Sequence, residues 1–410
     1  MEPRICFIIG SMSLNGGTYA IIQHATFLMD AGFHVTIAIQ EPFLNSDMPS
    51  WHDRIRDLRC LPLCNARKES YDLVIATWWK TVFDLFSIQS DHYGYFVQSI
   101  ESKFYPESDS RIRSLVESTY QFPLHYITES TWIKDYLYKK YGHSVTLVKN
   151  GIRKDIYNLT GKKNESRKLN SSPRVLIEGP FGIFFKNTAL GIRLAREAGV
   201  KELWVLTGSP AIWLPKVDRL FSQVPIYKTP EVYRSCDILL KLSTVEGMFG
   251  TPLEMFHCGG TAVVFNVTGY DEFITDKVNA RVAKLGNVDE VVEILQELIE
   301  SPSTIEKLKE GAIQTAMMWP SWDSSSSLFM QWVKLVLMTT KKERSLLKEM
   351  SETIINDYDL SESMKSHKKR ITFNRNTLSS LAKHFPRSMV RTVKTLEAII
   401  EVVTGKRKAY

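Results

Sequence analysis

Short apolar runs alternate with segments of helical periodicity along two long stretches of this 410-residue chain. The first stretch contains strand-like runs such as H-V-T-I-A-I and helical segments such as Thr18–Ala31. The alternation restarts with R-V-L-I-E at Arg174. Because buried apolar runs that alternate with helices form parallel, doubly wound sheets, each stretch predicts an α/β domain. We expect two Rossmann-like domains, at 1–150 and 173–318, facing a cleft in which ligands bind.

A polar segment separates these stretches, and a basic segment follows them. Residues 151–172 are rich in Asn, Ser and Lys, a composition typical of an interdomain linker. The tail, 341–410, carries 16 Lys and Arg against 8 Asp and Glu, whereas the whole chain has a net charge of only +7. The positive charge therefore belongs to the tail, which predicts an anionic partner for the tail rather than for the domains.

Several functional classes are disfavoured by the composition. No run of about 18 apolar residues is present, so we expect no membrane-spanning helix. Neither a G-x-G-x-x-G fingerprint nor a Walker loop occurs, which gives no support to a nicotinamide cofactor or ATP. No nucleic-acid-binding module is visible, and nucleic acid is not an expected partner. The five cysteines are scattered, which predicts reduced thiols in a cytoplasmic protein and no zinc site: Cys6, Cys60, Cys64, Cys236 and Cys258.

The stretch V-E-G-M-F-G-T-P-L-E, residues 245–254, has the strongest functional signal. Two glycines and a proline oppose a continuous helix, so we predict a strand, a loop and then a helix with Thr251 as N-cap and Pro252 at the first helical position. T-P-L-E then reads as a capping box, in which Glu254 reaches back to the Thr251 amide. Helix capping does not explain Glu246, a carboxylate on a glycine-flanked loop. The loop amides and the helix N-terminus together predict an anion site suited to phosphate.

The same region resembles a known enzyme family. S-T-V-E-G-M-F-G-T-P-L-E-M-F-H-C-G-G-T-A-V-V is similar to the E-x7-E region of family 4 of the retaining GT-B glycosyltransferases. E-V-Y-R-S-C-D-I-L-L, I-T-E-S-T-W-I-K-D-Y-L, L-V-K-N-G-I and M-S-L-N-G-G-T-Y-A resemble further parts of that family. The resemblance covers about residues 1–340. It implies the GT-B fold, with a helix at 319–340 that returns to the first domain and a helical extension beyond it.

The resemblance also implies roles for individual residues. Glu254 would bind the ribose hydroxyls of a nucleotide-sugar, and Glu246 would face the reacting centre of the transferred sugar. Lys186 would hold the diphosphate, although the family's neighbouring arginine is replaced by Pro180. The remaining donor-binding candidates lie in loops at strand ends: Gly247, Met248, Phe249, Gly250, Thr251, Gly16, Gly17, Gly208 and Tyr227.

One family residue has no clear counterpart in this chain. Many members have an active-site histidine at the end of a first-domain strand. The corresponding strand here, Y-G-Y-F-V-Q-S, ends in Gln98 and Ser99. His92 and His125 lie near it in sequence without matching the pattern, so the histidine role stays unassigned.

The resemblance implies a retaining transferase that moves a sugar from a nucleotide diphosphate donor to a hydroxyl, without metal or other cofactor. W-W-K-T and Y-F-V-Q-S-I-E-S-K-F-Y look similar to bacterial cell-surface polysaccharide transferases, some of which transfer rhamnose. This favours a glycan or lipid-linked acceptor. Two alternatives stay open: a sugar-nucleotide 2-epimerase, and a non-catalytic donor-binding subunit of a glycan assembly complex.

The tail contains the amphipathic segment R-S-M-V-R-T-V-K-T-L-E-A-I-I-E-V-V. With the basic clusters K-S-H-K-K-R and G-K-R-K, it could dock on an anionic membrane surface, at the inner face of the membrane. It could equally be a helix packed on the body of the protein or a contact in a homo-oligomer.

Overall fold

The computed structural model describes residues 2–43, 48–166, 172–366 and 387–404, without the side chains of 359–366, 387–394 and 404. The basic cluster G-K-R-K and most of K-S-H-K-K-R lie outside these residues. The chain divides into two compact units. The first contains the residues up to Lys149 and those from Trp322 through the next two helices, and the second contains Asn150–Ser321 and the last helix.

The first unit is built on a seven-stranded parallel sheet of order β3-β2-β1-β4-β5-β6-β7. Its central strands are almost wholly buried, as expected for a sheet covered on both faces. The strands are β1 (Arg4–Ile9), β2 (His34–Ile39), β3 (Arg59–Pro62), β4 (Ser70–Ala76), β5 (Gln89–Val97), β6 (His125–Thr128) and β7 (Val145–Leu147).

Seven helices belong to the described part of this unit: α1 (Gly16–Asp30), α2 (Leu63–Ala66), α3 (Trp79–Leu85), α4 (Ser110–Ser118), α5 (Thr131–Tyr141), α11 (Trp322–Leu337) and α12 (Arg344–Ser366). Helix α11 packs against α1 through aromatic contacts. The rings of His24 and Phe329 stack with centroids 4.2 Å apart. The indole of Trp332 lies where a side chain at Gly94 would be, only 2.9 Å from the position of a Cβ atom.

The second unit is built on a six-stranded parallel sheet of order β10-β9-β8-β11-β12-β13. The chain winds outward from β8 in one direction and then outward from β11 in the other. The strands are β8 (Arg174–Glu178), β9 (Glu202–Thr207), β10 (Arg219–Ser222), β11 (Ile238–Lys241), β12 (Thr261–Phe265) and β13 (Arg281–Ala283). The two neighbours β8 and β11 therefore form the topological switch point, where open α/β sheets bind ligands.

The helices of the second unit are α6 (Thr188–Glu197), α7 (Thr229–Tyr233), α8 (Gly250–His257), α9 (Val288–Glu300), α10 (Pro302–Met318) and the last helix, α13 (Arg387–Thr404). Ala398 and Val402 of α13 are buried in the core that α6 and α9 cover. Within the described residues, no helix combines the length and the apolar composition needed to cross a bilayer.

Candidate functional site

Two loops of the second unit meet at the carboxyl ends of β8 and β11. The first, residues 179–187, follows β8, and the second, residues 242–249, follows β11. Two hydrogen bonds join them: Asn187 Nδ2 donates to the Leu242 carbonyl at 2.7 Å, and the Thr244 amide donates to the Phe185 carbonyl at 2.8 Å. These contacts hold both loops at the switch point of the sheet.

The first loop depends on unusual backbone conformations. Gly179 has φ +152°, and a Cβ atom there would lie 2.7 Å from Thr188 Oγ1. Asn187 has a left-handed conformation immediately before α6, which begins at Thr188. Lys186 therefore lies outside this helix, in a short 3-10 turn that precedes it. That turn directs its side chain toward the second loop.

Lys186 and Glu246, which lie 60 residues apart in the sequence, form an ion pair at this site. Lys186 Nζ lies 2.8 Å and 2.9 Å from the two carboxylate oxygens of Glu246. The side chain of Glu246 is only 10% exposed and that of Lys186 is 21% exposed. Burial would raise the pKa of Glu246, but the positive charges of Lys186 and Lys241 outweigh it and hold that pKa below its ordinary value. Glu246 is therefore ionised at neutral pH.

Lys241 and Glu178 form a second ion pair, and Lys241 is close enough to the first pair to act on the charge of Glu246. Lys241 Nζ contacts Glu178 Oε2 and lies 3.3 Å from the Glu178 carbonyl oxygen. Burial would lower the pKa of Lys241, but the carboxylates of Glu178 and Glu246 raise it, so the ammonium group stays charged. Thr251 Oγ1 donates to Glu178 Oε2 at 3.3 Å. Glu178 and Lys241 were not among the predicted site residues, although each is a charged residue that ends a strand directly after three apolar residues.

The predicted capping box is absent, which corrects the sequence analysis. Helix α8 begins at Gly250, with Phe249 as its N-cap and no side-chain capping bond. Glu254 instead accepts hydrogen bonds from Tyr233 and Tyr157 in the interior. Burial, strengthened by the nearby Glu178 carboxylate, raises the pKa of Glu254 to about 8. Glu254 is therefore largely protonated at neutral pH.

The loop between Glu246 and α8 is tightly turned. Phe249 has φ −82° and ψ 65°, and the Gly250 amide donates to the Met248 carbonyl at 2.9 Å, which together form an inverse γ-turn. The Gly250 amide is thus used within the loop. Gly247 lies beside Glu246, whose carbonyl accepts a hydrogen bond from Thr268 Oγ1 at 3.3 Å.

Other candidates from the sequence analysis lie elsewhere. Gly208 follows β9, the neighbour of β8, and Tyr227 lies in a 3-10 turn before α7 with 40% of its surface exposed. Gly16 and Gly17, in the first unit, form the first turn of α1, whose N-cap Asn15 accepts from the Thr18 amide at 2.8 Å.

Gln98 lies against Gly17 at the end of β5, where the family histidine was sought. A Cβ atom at Gly17 would lie 3.2 Å from Gln98 Nε2, which donates to the Thr77 carbonyl at 3.2 Å. His92 and His125 contact Thr339, with which each shares a hydrogen bond of 3.4 Å. His92 lies near the start of β5 and His125 begins β6, so neither is at the strand end that holds Gln98.

Metal ligands are not clustered in the part of the chain that the structure describes. Within these ranges, no group of three or more His, Cys, Asp or Glu side chains is arranged to hold a metal ion. The charged cluster at the switch point instead combines two lysines with three carboxyl groups: Lys186, Lys241, Glu178, Glu246 and Glu254.

The fold defined by these two sheets is the GT-B fold of glycosyltransferases. A sucrose-phosphate synthase from Thermosynechococcus elongatus superimposes with a TM-score of 0.65 over 82% of this chain and 99% of that one, at 13% identity. HepE from Anabaena, in complex with UDP and glucose, gives a TM-score of 0.64 over 82% of this chain and all of its own, at 14% identity. WaaG, a glycosyltransferase involved in lipopolysaccharide biosynthesis, gives 0.61 over 82% of this chain and all of its own, at 13% identity.

A family match adds to this similarity of fold. Residues 219–315, which include Glu246 and Glu254, match the family Glycosyl transferases group 1. Comparison with curated protein sequences gave no match. The match lies within the second unit, and the matched residues include two of the three carboxyl groups at the switch point.

Proposed function

We propose that this protein is a retaining, metal-independent glycosyltransferase of family 4, which transfers a sugar from a nucleoside diphosphate donor to a hydroxyl group. The observation that supports it most is the ion pair between Lys186 and Glu246, with an Nζ to Oε distance of 2.8 Å, at the switch point of the second unit. The group 1 match and the similarity to HepE, whose structure contains UDP and glucose, support a nucleotide-sugar donor.

The roles of the residues follow from their charges. When the bond between the sugar and the diphosphate breaks, negative charge grows on the leaving phosphate and positive charge on the sugar. Lys186 and the N-terminus of α8 would stabilise the leaving group, and the ionised Glu246 would face the sugar. The acceptor oxygen bonds to the anomeric carbon, and its proton passes to the leaving phosphate. Lys186 now contacts both carboxylate oxygens of Glu246, so it must give up at least one of these contacts to bind the diphosphate.

The first experiment is a thermal-shift panel of nucleoside diphosphates and nucleotide-sugars, followed by a turnover assay with the donor that binds. We expect Glu246→Gln to keep nucleoside diphosphate binding and to lower turnover by a factor on the order of 100. Lys186→Gln should weaken both. Glu293→Gln and Lys307→Gln, on exposed faces of α9 and α10, are the matched controls.

The outcomes of these assays separate the candidate functions. Unchanged turnover in Glu246→Gln would remove Glu246 from the chemistry. Donor binding without transfer to any acceptor would favour a non-catalytic subunit, for which Pro180 and the unassigned active-site histidine are the sequence arguments. Conversion of the donor without acceptor would indicate a 2-epimerase.

We further propose that the acceptor is a lipid-linked glycan of bacterial surface polysaccharide synthesis and that the protein acts at the cytoplasmic face of the membrane. The exposed side of α13 supports this, because Leu396, Ile400 and Val403 are each more than half exposed on one stripe of the helix. The tail that contains them is basic. Such a helix favours an anionic bilayer surface. The anomeric configuration and the identity of the transferred sugar, including rhamnose, are to be read from the product by NMR.

A further inference from the structure

The ion pair between the half-buried Glu178 and the buried Lys241 lies at the switch point. Strands β8 and β11 pair in parallel, with Leu240 opposite Ile177, so the next residues on the two strands are Lys241 and Glu178. The Lys241 side chain is 4% exposed, whereas that of Glu178 keeps 23% of its surface exposed. The pair therefore combines a buried cation with a carboxylate that is partly exposed.

An ion pair with a buried member is a weak source of stability, because the loss of hydration opposes the attraction between the charges. The residues before it on both strands are apolar and buried, V-L-I on β8 and I-L-L on β11. Replacing a buried ion pair by packed apolar side chains of similar volume is often neutral or stabilising. A charged pair at this place thus indicates a requirement for the carboxylate itself.

The carboxylate of Glu178 is held from two sides. Lys241 Nζ contacts it from the sheet, and Thr251 Oγ1 contacts it from the first turn of α8 at 3.3 Å. Glu254 follows Thr251 by three residues on α8, and residues at this spacing share a helix face. Glu178 and Glu254 therefore approach each other from the sheet and from the helix, and the charge of Glu178 raises the pKa of Glu254.

We propose that Glu178 is a donor-recognition residue that acts together with Glu254 on the ribose hydroxyls of a nucleoside diphosphate, and that Lys241 is the positioning residue that holds it. A carboxylate beside a protonated carboxyl group offers both an acceptor and a donor to a vicinal diol. Each of the two ribose hydroxyls then has a hydrogen-bond partner. This inference rests on the proposed function.

The test compares UDP, ADP and GDP with their 2′-deoxy and 3′-deoxy counterparts by isothermal titration. The wild type should bind one ribonucleotide more tightly than its deoxy counterparts by about tenfold. Glu178→Gln should lose most of this preference for the ribose hydroxyls. The double variant Glu178→Leu/Lys241→Leu should fold with a thermal midpoint at or above that of the wild type and should also lose the preference.

The double variant separates recognition from structural support, since a pair that only supported the fold would be replaceable without loss of ribose discrimination. Retained discrimination in Glu178→Gln and in the double variant would overturn this inference alone. Failure of the wild type to bind any nucleoside diphosphate or nucleotide-sugar of the thermal-shift panel would overturn the proposed function and this inference with it. Lys241→Met leaves Glu178 without its buried cation and should weaken ribonucleotide binding without affecting the deoxy compounds as strongly.

Discussion

Glu101 is a buried carboxyl group in the first unit. It accepts hydrogen bonds from the Trp79 amide at 2.7 Å and from the Tyr95 hydroxyl at 3.3 Å, and it is 5% exposed. Burial, which outweighs these two hydrogen bonds, raises the pKa of Glu101 from 4.5 to about 8. In the folded protein at neutral pH, Glu101 is therefore mostly protonated, whereas in the unfolded chain it would be ionised.

This difference predicts a pH dependence of stability. Between about pH 5 and pH 8 the folded state binds one more proton at Glu101 than the unfolded state does, so its contribution to stability falls as pH rises. The slope for one such proton is roughly 1.4 kcal/mol per pH unit. Glu101→Gln, which cannot ionise, should flatten the fall of the thermal midpoint over this window.

The control for this measurement is Glu107→Gln, at an exposed position of the same unit. It should reproduce the wild-type profile. Equal slopes for the wild type and Glu101→Gln would show that the buried carboxyl group does not titrate in this range.

Helix α13 has one face that packs on the second unit and another that stays exposed. Thr395, Ala398 and Val402 are buried, and the Thr395 hydroxyl accepts from the Ile212 amide at 3.1 Å. Glu401 accepts from the Gly182 amide at 3.1 Å. One face of the helix is thus packed on the second unit, while the stripe of Leu396, Ile400 and Val403 stays exposed. The sequence left packing on the body of the protein and docking on a membrane surface as alternatives for this helix. The two are compatible, because they use different faces of α13.

Adjacent valines on α13 provide a matched pair of variants. Val402 is 4% exposed and Val403 is 64% exposed. Val402→Asp buries an unpaired charge and should destabilise the second unit by about 2–4 kcal/mol. Val403→Asp should change stability by no more than about 0.5 kcal/mol. Both are measured by the midpoint of thermal unfolding.

The same pair tests the proposed membrane contact. Val403→Asp should reduce co-sedimentation with phosphatidylglycerol-containing liposomes, because it places a negative charge on the exposed stripe. Equal sedimentation of Val403→Asp and the wild type would remove this stripe from membrane binding.

At the scale of the whole molecule, the first unit is discontinuous in sequence. It is completed by α11 and α12, which follow the second unit in the chain. Trp322, Phe329 and Trp332 of α11 are at most 6% exposed, and Phe329 stacks on His24 of α1. Residues 1–149 by themselves would leave this apolar surface of α1 and the sheet in water.

This organisation predicts the behaviour of fragments. Residues 1–149 should lack a cooperative thermal transition by circular dichroism, because α11 is missing. Joining residues 322–366 to them through a flexible linker should restore the transition. A fragment of residues 1–149 that unfolds cooperatively at the midpoint of the joined protein would contradict the prediction.

Much of the fold and part of the site could be predicted from the sequence. Local periodicity reports burial directly, so the run H-V-T-I-A-I predicts the strand that is observed at His34–Ile39, and the helix predicted over Thr18–Ala31 is observed at Gly16–Asp30. Glu246 was predicted as a site residue because it lies on a glycine-containing loop, where helix capping does not explain a carboxylate. Lys186 stood out through the family resemblance, and the structure places it on Glu246.

The sequence by itself determined two doubly wound sheets and the loop that carries Glu246, because both depend on residues close together in the chain. Only the tertiary structure decided which partners the ionisable groups of the site contact. Glu178 and Lys241 are 63 residues apart and meet because β8 and β11 are neighbours. Glu254 has the spacing of a cap, yet it turns toward Tyr157 and Tyr233, which lie far away in sequence. A buried charge is stabilised by whichever partners the fold brings within a few ångströms, and local sequence does not specify those partners.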